Sequence, residues 1–133
     1  MLLSERFLTS SFLYLLSFIF TLVALQALLV PSLFVLPVEI HLMSPAGFAE
    51  VRAGYSGCFG GLAFMFFRGA KYPEHRQLSL ILAALVLGLF SLGRFVSLGV
   101  EGVPNDFSII VHAAELCAFS FSCVLILRIK REI

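Results

Sequence analysis

A chain of 133 residues that is 60% hydrophobic and 13% charged, with a mean hydropathy of +1.04, carries more apolar surface than one small soluble core can bury, which excludes an ordinary water-soluble domain. A formal net charge of +1 without a basic stretch excludes a nucleic-acid partner. Three cysteines, Cys58, Cys117 and Cys123, with no CxxC pair, exclude a disulfide framework and thiol-based redox chemistry, leaving them as small apolar packing groups.

In chain order, four apolar runs predict helices at about 8–30, 46–67, 77–97 and 107–128, each close to the roughly 20 residues that cross a hydrocarbon core. The expected fold class is all-α: a polytopic membrane protein whose single transmembrane domain, residues 1–133, is a four-helix bundle. The first run is too long for a secretory signal, its head MLLSERF sets Glu5 beside Arg6, and no cleavage site follows, so it reads as a retained helix. The connection PSLFVLPVEIHLMS is too apolar for a solvated linker and is expected at the outer membrane interface as a short helical turn or an extended piece pinned by Pro31 and Pro37, with Glu39 and His41 toward headgroups. Ser44 before Pro45 reads as an N-cap and first-turn proline for the second helix, and Pro104, Asn105 and Asp106 supply capping groups for the fourth.

Orientation follows from the cations. Arg6 lies in the head, Arg68, Lys71 and Arg76 in the second connection, and Arg128, Lys130 and Arg131 in the tail, whereas residues 31–44 and 99–106 carry neither Lys nor Arg. Because Lys and Arg in short loops are retained on the cytoplasmic side, both termini are expected there.

Within the second helix, AEVRAGYSGCFGG sets two charges among glycines. At about 100° per residue, Ala49, Glu50, Ala53, Gly54, Gly57, Gly60 and Gly61 share one face, the spacing that lets membrane helices approach closely, while Arg52, Tyr55 and Phe59 fall on the other side. This reading places Glu50 against a neighbouring helix. The third helix offers Arg94. On the fourth, Ser108, His112, Glu115, Ala118 and Ser122 form one stripe, with Glu115 roughly 12 Å below the outer end, too deep to snorkel and in need of a partner or a proton. The expected site is therefore an outer-half cluster of Glu50, Arg94, His112 and Glu115 with Arg52 and Tyr55 at its edge. Its plain structural reading is an interhelical lock; its functional reading is proton uptake or headgroup contact by Glu115 or His112.

No metal site is expected, since one His and two carboxylates beside an Arg make a poor donor set. No cofactor is expected either: His112 is the only histidine inside a predicted helix, and a haem held between helices wants two. A four-helix proton-coupled exporter would carry a Glu in its first helix, and that helix has none.

AEVRAGYSGCFGGLAF, GRFVSLGVEGVPND and HAAELCAF together resemble the small bacterial four-helix membrane proteins grouped as domain of unknown function 4345. The resemblance rests on Glu50 and Arg52 entering a Gly-rich helix at Gly57, on Arg94 and on Glu115. It implies a bacterial cytoplasmic membrane location and no activity. Without a nucleophile and base, the expected role is a non-enzymatic accessory or assembly subunit, partnered by membrane lipids and by other subunits or further copies of itself. The alternative is a binder or carrier of a small amphiphile, a lipid or quinone, with or without proton linkage.

Overall fold

The computed structural model describes residues 2–130 and is all-α: three long helices and one segmented helical rod. Helix α1 runs over Leu2–Leu29. It stops because Val30 precedes a proline, which disfavours the helical basin; Val30 sits at φ −132° and ψ 58°, and Pro31 opens a new short helix, α2 (Pro31–Val35). A 3-10 turn over Leu36–Val38 follows, and Glu39 reverses the chain at φ 62°. Of the helical turn or extended piece expected here, residues 31–38 take the first form, as two short turns. Ser44 caps α3 (Pro45–Glu50), its Oγ accepting from the Gly47 N–H at 3.2 Å.

The rod continues through a π-helical stretch, Val51–Ser56, into α4 (Gly57–Lys71). A 3-10 turn, Pro73–His75, leads to α5 (Arg76–Val100), and Asn105 caps α6 (Asp106–Lys130) by accepting from the Ser108 N–H at 3.0 Å. Gly102, at φ 97°, makes the turn between them, a backbone state that favours glycine.

Three helices are long and apolar enough to cross a membrane, over Glu5–Leu29, Pro73–Val100 and Asp106–Ile129. The rod over residues 45–71 differs: the π stretch divides it, and Glu50 and Arg52 interrupt its apolar run. Arg128 meets Glu5 at 3.8 Å, so the start of α1 and the end of α6 share one end, the terminal end, opposite the loop end formed by residues 30–44 and 101–105.

The main core is built from Leu13, Leu16 and Phe20 of α1, Ala63, Phe66 and Ala70 of α4, Leu80, Ala83 and Leu87 of α5, and Leu125 of α6. α1 pairs chiefly with the rod and α5 chiefly with α6, while α4 against α5 joins the two pairs. Two serines fasten the seams: Ser17 Oγ donates to the Ala63 carbonyl and Ser79 Oγ to the Met65 carbonyl, both at 2.8 Å. Gly69 packs so closely on Ser79 that a Cβ there would fall on its side chain.

The second-helix face comes out otherwise than its periodicity suggests. Ala49, Glu50, Ala53, Gly54, Gly57 and Gly61 are all exposed, and a Cβ at Gly54, Gly57 or Gly61 would meet no neighbour within 4 Å. Val51, Ala63, Phe66 and Ala70 face inward instead. The reason is twofold. The π stretch adds a residue to one turn, so a constant 100° wheel loses register across Val51–Ser56. Larger side chains such as Phe66 also give more dispersion contact against Leu13 and Phe20 than glycines would.

Candidate functional site

Arg94 and Glu115, on the antiparallel α5 and α6, meet in a two-pronged ion pair. Arg94 Nε donates to Oε2 at 2.7 Å and Nη2 to Oε1 at 3.2 Å, and the Glu115 side chain is only 12% exposed. The planar guanidinium matches both carboxylate oxygens, the geometry that best offsets taking two charges out of water.

His112 lies one turn beyond Glu115 toward the loop end. Its ring packs edge-on against Phe95, with centroids 4.6 Å apart, and its buried Nε2 has no hydrogen-bond partner. Ser91 lies one turn from Arg94 toward the terminal end, and its buried Oγ is likewise unpartnered. Each such group costs about 1–3 kcal/mol if left unsatisfied. The α5–α6 seam therefore holds a closed ion pair flanked by two open hydrogen-bonding atoms: a hydroxyl that can donate and accept, and a ring nitrogen that does one or the other according to its tautomer.

The rest of the expected cluster sits elsewhere. Among the described residues Glu50 forms no ion pair and lies exposed on the rod. Arg52 donates from Nε to the Leu28 carbonyl at 3.1 Å, tying the rod to the end of α1, and its guanidinium lies over the Phe48 ring. Tyr55 stacks between Phe34 and Phe59. These three belong to the α1–rod pair and Arg94, His112 and Glu115 to the α5–α6 pair, so the single cluster expected from depth alone divides in two. Depth along a helix is readable from residue number; the neighbour faced at that depth is not.

Ser91 is the seam residue the sequence reading missed. Its signal was its place three residues before Arg94, on the same helical face, in a helix otherwise almost wholly apolar.

Beside the exposed stripe of the rod, a shallow groove runs between α1 and α4, lined by Thr21, Ala24, Leu28, Ser56, Gly60 and Phe64.

A family model described as domain of unknown function DUF4345 matches residues 8–126, which include Glu50, Arg52, Gly57, Arg94 and Glu115. No curated protein and no solved structure matches the chain.

Proposed function

Since the chain belongs to this family of domains of unknown function, we propose a role from its surfaces: it is a non-enzymatic accessory or assembly subunit of a larger membrane complex. It crosses the bacterial cytoplasmic membrane four times, the rod being the fourth crossing, with both termini cytoplasmic, the side on which its loop cations are retained. The observation that carries this reading is the uncovered small-residue face of the rod, Ala49, Ala53, Gly54, Gly57 and Gly61, bordered by the α1–α4 groove and ending at the exposed Glu50. Small residues let a second helix come close enough for backbone-to-backbone van der Waals contact, which lipid chains cannot match. A carboxylate at the end of that face favours a partner helix with a donor or a cation at the same depth.

In mild detergent the protein is expected to co-purify with its partner at fixed stoichiometry. Gly57→Leu and Gly61→Leu should each release that partner while the protein still accumulates, because both positions are exposed and a Cβ at either meets no neighbour within 4 Å. Isolation as a clean monomer, or retention of the partner by both variants, would sink the proposal.

A second reading rests on the seam. The open Ser91 Oγ and His112 Nε2 beside the Arg94–Glu115 pair suit the carbonyl or hydroxyl end of a small amphiphile such as a lipid or quinone. Native mass spectrometry of the gently extracted protein separates the two readings, since an accessory subunit carries protein and a carrier carries a small molecule.

A further inference from the structure

The terminal end of the molecule holds an arrangement that neither reading uses. Helices α1, α5 and α6 converge there, with Phe12 of α1 edge-on to Phe121 of α6 at 4.9 Å between centroids. Arg6, Arg76 and Arg128 all lie toward this end of the molecule. Glu5 is directed at Arg128. Arg76 instead donates from Nη2 to Ser10 Oγ at 2.9 Å, its Nε is buried without a partner, and among the described residues no carboxylate pairs with it.

Arg6 lies one turn before Ser10 on α1, so its exposed side chain shares the helix face on which Ser10 bonds Arg76. Glu74 stands two residues before Arg76 in the preceding turn, but among the described residues no carboxylate pairs with Arg6 or Arg76, and the first turn of α5, the helix that Arg76 opens, lacks an acidic residue. Ser10, already accepting from Arg76, still has its own O–H to donate.

We infer that this corner is a binding site for a phosphate-type oxyanion, held between the Arg6 and Arg76 guanidinium groups with the Ser10 hydroxyl as a further donor. Guanidinium forks match phosphate oxygens in pairs, and an anion between them gains two attractions. The phosphate comes either from a lipid headgroup of the adjoining leaflet or from free phosphate in solution. The inference does not depend on the accessory-subunit reading, which concerns the opposite half of the rod.

The test is lipid titration of the full chain in mild detergent, followed by native mass spectrometry, with phosphatidylglycerol and phosphatidylcholine compared at equal concentration. Phosphatidylglycerol is expected to be retained about tenfold more tightly, and the Arg6→Gln/Arg76→Gln double variant to lose that preference. Lys71→Gln removes one cation that is stacked over Phe67 and Tyr72 instead, and should keep it. Arg6→Gln alone, altering an exposed side chain, keeps the test readable should Arg76→Gln fail to fold. If inorganic phosphate raises the thermal midpoint of the wild type but not of the double variant, and no lipid preference is seen, the anion is the soluble one. Equal retention of both lipids with no response to phosphate overturns the site. So does a Lys71→Gln variant that loses as much as the double variant, since the effect would then be diffuse charge.

Discussion

Arg94→Met is expected to cost about 3 kcal/mol of folding stability, and Glu115→Met a similar amount, whereas Arg94→Met/Glu115→Met together should fall within about 1 kcal/mol of the wild type. Each single change strands one charge in the α5–α6 seam, where Glu115 is largely enclosed. The lower end of the usual range applies because the Arg94 side chain is 33% exposed and can reach more polar surroundings. The double change leaves two flexible apolar side chains in an apolar seam with no charge to satisfy. Unfolding of the four species in detergent or bilayer gives the coupling directly as a double-mutant cycle. Single variants that unfold like the wild type would show that the seam does not depend on the pair. The double variant also separates lock from site: recovered stability with a lost cellular role would mean that the pair does more than fasten α5 to α6.

Gly69→Ala is expected to lose about 1–2 kcal/mol, while Gly57→Ala and Gly61→Ala gain up to about 1 kcal/mol. In all three the better helix propensity of alanine contributes about 1 kcal/mol in favour. At Gly57 and Gly61 nothing opposes it, since the added methyl meets no neighbour. At Gly69 the methyl would fall on the Ser79 side chain and close on Leu13. Ser79 cannot swing aside freely, because its Oγ is bonded to the Met65 carbonyl, so overpacking of the usual 1–3 kcal/mol or more outweighs the propensity gain. Gly69→Ala/Ser79→Gly should recover part of the loss. The check is the sign of the change in unfolding midpoint at the three glycines; the same sign at all three would contradict the packing described for α4 and α5.

Much of the architecture was legible because its causes are local. Pro31 ended α1 through its effect on Val30, and Ser44 and Asn105 announced the caps they make, whereas the apolar character of residues 31–44 left a helical turn and an extended piece equally open. The partnership of Arg94 with Glu115 was legible too, since each sits deep in an apolar helix and their sequence depths coincide. The surroundings of that pair were not. Glu50 was assigned to the same cluster on equal depth, yet the rod turns its small-residue face outward. Gly69, whose contact with Ser79 is the closest approach of any glycine, looked no different in the sequence from the open Gly57 and Gly61.

The sequence by itself therefore determined that the chain is all-α, that it holds helices long and apolar enough to cross a membrane, and that Pro31, Ser44 and Asn105 set helix ends, whereas α1, expected from about residue 8, already runs from Leu2 because its backbone stays helical beyond the apolar run. These follow from hydropathy, proline, capping side chains and charge, all of which act within a few residues. The tertiary structure alone decided that α1 pairs with the rod and α5 with α6, and which face each helix buries. Against lipid, a side chain in a helix seam and one facing acyl chains are equally apolar, so hydropathy carries no record of the inside. Shape, the register shift of the π stretch and a few hydroxyl and ion-pair contacts choose it, and these exist only once the helices meet.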